Sequence, residues 1–315
     1  MCSRKEEHLA GRTTCDCLLV LLALVWFCEV RAATVAVPNA SFESPGTFYA
    51  SPALDFWQKA PKPDWYIEEG GFTWDQLAGQ FKNTSLTSAD HIDNCDGAYA
   101  AFLFAVPEVA LFQDYESTDW SHTNALHAFG PVFDPGKTYH FALGIMGGGG
   151  GMLEGATLDL GFYYRDSASN IVSITTVTVT NTISVFSNDT HFLDFRADLS
   201  VRPQDPWAGK HIGLQILSSV SMDYTNGGYW DLDNVRLTAT LDPRFLSSGV
   251  TNGHFGCSLQ GEPGFTLEIL SANDPTVPVS AWSSAGFVTN GTGTAVFTDT
   301  GAMASHRFYR ARQAQ

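Results

Sequence analysis

From Thr34 onward, short runs of β-branched and aromatic residues alternate with clusters of Gly, Pro, Asp, Asn and Ser. Nowhere do apolar residues keep the 3.6-residue spacing of an amphipathic helix. The clearest strands are 98–104 (AYAAFLF), 109–115, 138–146, 157–166, 172–180, 191–200 and 211–220, with turns such as 134–137 (DPGK), 166–170 (DSASN) and 207–210 (WAGK). A further strand, 227–237 (GGYWDLDNVRL), follows a Gly-Gly turn. Regular alternation along it places Asp231 and Asp233 on the side of Val235 and Leu237, so two carboxylates share the face that the aliphatic residues mark as core.

This spacing of strands and turns predicts an all-β chain whose larger part, 33–240, is a jelly-roll β-sandwich. The glycine run 144–155 lacks the Gly-Lys-Ser/Thr ending of a phosphate loop and reads as a flexible connection between strands. After Leu241 a Pro- and Ser-bearing junction, 241–249, leads into five short strands at 253–261, 265–272, 280–289, 293–300 and 306–312. They predict a smaller β-sandwich over 241–315, of immunoglobulin or fibronectin type, the alternative being a continuation of the first domain.

The N-terminus is of a different kind. Residues 18–28 (LLVLLALVWFC) are apolar but too short to span a bilayer as a helix, and Arg4, Lys5 and Arg12 precede them. This is a signal-peptide pattern with cleavage expected after Ala32, which makes the chain secreted, with no membrane insertion afterwards. Four of the six cysteines leave with it, and the remaining Cys95 and Cys257 read as two separate thiols. The net charge of −16 survives cleavage, because 1–32 holds four basic and four acidic residues. So acidic a chain argues against nucleic acid as a partner.

The strand 227–237 has a counterpart at 37–44 (VPNASFES). Together, Asn39-Ala40-Ser41-Phe42-Glu43 and Trp230-Asp231-Leu232-Asp233-Asn234-Val235 resemble the paired signatures that bracket galactose-binding-like jelly rolls, including many carbohydrate-binding modules. The resemblance extends to 96–104, 111–115 and 205–216, and the tail resembles the small sandwich that closes many secreted bacterial multidomain proteins. It implies a structural Ca²⁺ held by Glu43 and Asp233, with Asn39 beside them. Calcium takes six to eight oxygens, and a carboxylate turned toward a core must be paired or metal-bound. Two other readings stand beside the cation: Asp233 caps backbone amides, or it meets Arg236 or Arg196.

Aromatic rings are the usual platforms for sugars. The segment 56–76 carries Trp65, Tyr66 and Trp74 among Glu68, Glu69 and Asp75, and Trp120 lies in a second loop-like stretch. These make a candidate surface for a polysaccharide or glycan, although rings of this kind also fill cores. No catalytic residues are assigned: there is no G-x-S-x-G or H-E-x-x-H, and Glu68 and Glu69 are adjacent and point apart in extended chain. The expectation is thus a secreted, non-catalytic carbohydrate-binding or adhesion protein. The alternatives are a structural surface protein without a small ligand and a jelly-roll lyase or glycosidase using Glu68, Glu69 or Asp75.

Overall fold

The computed structural model describes residues 32–69, 71–117, 129–224, 227–301 and 306–314. The signal segment up to Arg31, and Trp120, lie outside these.

The larger unit consists of β1 (Ala33–Val35), β2 (Ala50–Ser51), β3 (Gln58–Lys59), β4 (Ala78–Lys82), β5 (Tyr99–Phe104), β6 (Ala110–Gln113), β7 (Lys137–Gly149), β8 (Thr157–Arg165), β9 (Ile171–Thr180), β10 (Leu193–Ser200), β11 (Gly213–Ser218) and β12 (Tyr229–Leu241). One sheet runs β10-β7-β12-β5-β4-β2, with β1 also on β12, and a second runs β3-β6-β11-β8-β9. Neighbouring strands are antiparallel. Between the sheets, Trp57, Phe133, Phe141, Phe162, Leu214 and Trp230 share one core. Each large side chain so buried contributes about 1.5–3 kcal/mol. The chain is all-β, as its pattern of strands and turns predicts.

The face expected for the two aspartates needs correction. In β12 the core residues are Trp230 and Leu232, then Val235, Leu237 and Ala239. The step from Leu232 to Val235 is odd because a bulge intervenes: the register against β7 shifts between Asp233 and Arg236, and Asn234 sits at φ 55°. An extra residue in one strand inverts every later side chain. Asp231 and Asp233 therefore point away from Val235 and Leu237, onto the outer face of the larger sheet.

Two loops expected from sequence are strands. β7 runs on through Gly149, so the glycine run is not a free connector. A Cβ on Gly149 would lie 2.5 Å from the Tyr229 ring, which explains why glycine is needed beside β12. Past Leu241, the junction is brief, and Arg244–Thr251 is already a strand, exposed along its whole length.

This strand, β13 (Arg244–Thr251), forms one sheet with β14 (His254–Gln260) and β17 (Thr294–Asp299), in the order β13-β14-β17. A second, β16-β15-β18, is made of β15 (Thr266–Ala272), β16 (Ser283–Thr289) and β18 (Phe308–Gln313). The smaller unit has its own core of Cys257, Leu259, Leu267, Ile269 and Phe297. Cys95 and Cys257 are both free thiols. Among the described residues no helix is long and apolar enough to cross a membrane.

Candidate functional site

The bulge places Asp231 in the middle of the outer face of the larger sheet. Its cross-strand neighbours are Phe102 on β5 and Met146 on β7. One pleat away, Tyr229 pairs with Phe104 and Gly149. Ring centroids lie 6.0 Å apart for Phe102 and Phe104, 5.9 Å for Phe104 and Tyr229, and 5.2 Å for Phe72 and Phe104. The result is an aromatic ledge with a carboxyl in its floor. Phe102, Phe104 and Tyr229 are half-buried, while Phe72 at the rim is exposed.

No hydrogen-bond donor or basic side chain meets the Asp231 carboxyl among the described residues. The residue is 8% exposed, and burial alone pushes its pKa from 3.8 up to about 8. Ionising a carboxyl away from water is costly without compensating partners, so the group keeps its proton. Burial also raises the Tyr229 phenol, followed by the negative charge of Asp231 and then of Tyr49.

A contrast stands on the other sheet. Asp114, more deeply buried still, accepts hydrogen bonds from the Tyr163 hydroxyl at 2.6 Å and from Arg165 Nε at 2.6 Å. Its charge is matched, whereas that of Asp231 would not be. No motif marks Asp114, and the signature that contains Asp231 gives it no role. The signal that could have found Asp231 is an Asp between Trp230 and Leu232 with no basic residue nearer than Arg236, on a strand carrying a bulge-prone Asp-Asn pair.

The residues expected to ligate calcium do something else. Asn39 is committed to main chain: its Oδ1 accepts from Ser44 N at 2.9 Å, and its Nδ2 donates to the carbonyls of Ser44 and Asp55 at 2.8 and 2.9 Å. Glu43 Oε1 accepts from the amides of Ala98 and Tyr99 at 2.9 and 2.8 Å. Asp233 accepts from the amides of Asp96 and Asn234, each at 2.6 Å, and from the Cys95 thiol. Of the readings left open for Asp233, amide capping is the one found.

Glu43 and Asp233 thus hold the turn Cys95–Tyr99 from two sides. Gly97 at φ 101° allows this, since a Cβ there would meet Glu43 Oε1 at 2.5 Å. Among the described residues no three acidic, His or Cys side chains converge as a metal set. Asn39 is taken up by main chain, and Glu43 Oε1 and both Asp233 oxygens already accept amides, so this set falls short of an ion that needs six to eight oxygens. A small apolar cluster of Ile92, Ala100, Met146 and Phe192, with Cys95 against it, roofs this part of the outer face. Burial pushes the Asp233 carboxyl up to about 7, opposed by the two amides, and also pushes the Cys95 thiol up.

The expected aromatic platform packs on itself. Trp65, Tyr66 and Trp74 meet edge-on with centroids 5.0–6.2 Å apart. Trp74 is 8% exposed, belongs to the core, and donates from Nε1 to the Ala60 carbonyl at 2.7 Å. The Tyr66 hydroxyl donates to the Phe72 carbonyl at 2.9 Å. Glu68 Oε1 accepts from Trp74 N at 2.8 Å, and Asp75 pairs with Lys59 at 3.0 Å. Trp65 alone keeps a substantial open face, at 37%.

No protein-family profile and no curated protein matches the chain. Among solved structures, it is similar to a cyclase from Fischerella sp. TAU, at 20% identity over 66% of this chain and 98% of that one, with a TM-score of 0.48. A Stig cyclase of the same organism, in complex with an indole compound, matches at 19% identity over 67% of this chain and 99% of that one, with a TM-score of 0.46. The neighbours also include the CBM22-1 xylan-binding domain of Paenibacillus barcinonensis Xyn10C, at 10% identity over 58% and 85% of the two chains, with a TM-score of 0.30. Against the expectation of a non-catalytic carbohydrate-binding or adhesion protein, the neighbours aligned over 96–99% of their own length are cyclases; at 20% identity or less and TM-scores below 0.5 the likeness is one of fold.

Proposed function

We propose that the larger unit is a catalytic domain in which Asp231 acts as a general acid toward a neutral, ring-bearing substrate lying on the ledge of Phe102, Phe104 and Tyr229. What carries this reading is the uncompensated carboxyl in an apolar setting. A group that keeps its proton near pH 7 can donate it to a basic atom of a bound molecule, leaving the carboxylate to be reprotonated from water. The rings supply the contact area that a planar ligand needs, and their electron-rich faces favour neutral over anionic molecules. Strongly shifted carboxyls in such places are candidates for function, because they cost stability and are seldom retained without use.

Export with removal of 1–32 is proposed alongside, supported by the apolar run behind three basic residues. The test of the catalytic reading is a ligand-observed NMR screen of neutral bicyclic aromatic compounds near pH 6.5, repeated with Phe104→Ala and Asp231→Asn. Compounds that bind the wild type are expected to weaken about tenfold on loss of the Phe104 ring. Those that are chemically turned over are expected to persist unchanged with Asp231→Asn. If no ring compound binds, or both variants behave as the wild type, the reading fails.

A further inference from the structure

We propose that the cleft between the two units binds a small hydroxylated carboxylate, at a site separate from the Asp231 ledge. The cleft measures about 550 Å³, within the ~300–1,000 Å³ of ordinary ligand pockets. Its wall on the larger unit comes from the ends of β7, β10 and β12, and its other wall from β18. Leu241 N bridges the units by donating to Glu262 Oε2 at 2.9 Å.

Two guanidiniums line it unmatched. Arg202 and Arg310 have no acidic partner among the described residues, whereas Arg312 beside them is spent on Glu268 at 2.7 Å. One carboxylate, Asp242, faces the same space and accepts the Thr138 hydroxyl, so a positive charge is left over. In a chain of net charge −16 such a spot is out of character and would draw an anion that the rest of the surface repels. Gln313 Nε2, also in the cleft wall, is buried with no acceptor.

The chemistry of the occupant follows from these groups. Guanidinium forks match carboxylate oxygens, and the Thr138 and Ser200 hydroxyls, 2.6 Å apart, suit the hydroxyls of a ligand. Citrate is the probe and glycerol the neutral control, titrated calorimetrically into the full chain at fixed ionic strength. Citrate is expected to bind and glycerol not to, and Arg202→Gln and Arg310→Gln are each expected to weaken citrate about tenfold. Both positions are exposed, so the variants are expected to fold. The proposal is overturned if citrate gives no saturable heat, if glycerol binds equally well, or if the double variant binds citrate as tightly as the wild type.

Discussion

Asp231 and Asp233 stand two positions apart on one face of one strand, yet Asp233 receives two amide hydrogen bonds at 2.6 Å and Asp231 receives none. The difference lies in what each meets across the sheet. Asp233 reaches the turn Cys95–Tyr99, where the Asp96 amide donates to it beside that of its own neighbour Asn234, while Asp231 reaches the rings and sulfur of Phe102 and Met146. Two carboxyls with the same covalent chemistry are thereby given different work, one holding a loop and the other keeping a proton.

Removing the Asp231 charge is expected to flatten the pH dependence of stability. Its folded pKa, about 8, lies above the ordinary 3.8, so the folded state binds a proton that the unfolded state has released between these values. Stability therefore falls as pH rises through that window, by ~1.4 kcal/mol per pH unit, and the loss is complete above pH 8. Urea unfolding at pH 5 and pH 8 checks this: Asp231→Asn is expected to lose less than the wild type by up to roughly 4 kcal/mol. Equal losses in the two proteins would count against a buried, uncompensated carboxyl.

The turn Cys95–Tyr99 is expected to depend on carboxylates and not on a metal. Asp233→Ala strips two part-buried amides of their acceptor and is expected to cost about 1–3 kcal/mol, and Glu43→Ala, whose two amide bonds are exposed, less. A chelator is expected to leave the wild-type melting temperature unchanged. A calcium-induced rise that Asp233→Ala abolishes would restore the metal reading.

The bulge itself is open to test at Asn234. At φ 55° this position suits Asn or Gly and resists β-branched side chains. Asn234→Val is expected to destabilise by about 1–3 kcal/mol and Asn234→Gly by much less, as thermal unfolding would read out.

Trp65 and Trp74 are expected to separate by burial. Trp74→Ala removes a core side chain and its hydrogen bond, at a cost of about 3–5 kcal/mol. Trp65→Ala, at a position 37% exposed, is expected to cost far less. Similar losses at both sites would mean that the rings form one buried unit.

Much of the architecture was legible in the chain. The strands at 98–104, 157–166, 172–180 and 211–220 emerge within a few residues of their expected ends, because alternation and turn residues are local signals. The orientation of Asp231 was not legible, since a single positive φ at Asn234 inverts the face and nothing in a period-2 pattern announces it. The loop-like aromatic segment also misled. Trp74 was a candidate platform ring and also, with Trp57, an expected core residue, and the core holds both; that Trp65 and Tyr66 fold onto Trp74 is a contact no local pattern encodes. The roles of Glu43 and Asp233 were half legible: their closeness to one place was expected, and the amides that meet them belong to a turn more than fifty residues from one and more than a hundred from the other.

The central claim is that Asp231 holds its proton near neutral pH. Carbon-13 NMR of the aspartate side-chain carboxyls, followed from pH 3 to pH 10 and assigned with Asp231→Asn, measures this directly. The account predicts that the Asp231 signal titrates with a midpoint near 8. A midpoint near 4 would contradict it and remove the basis for a proton donor on the aromatic ledge.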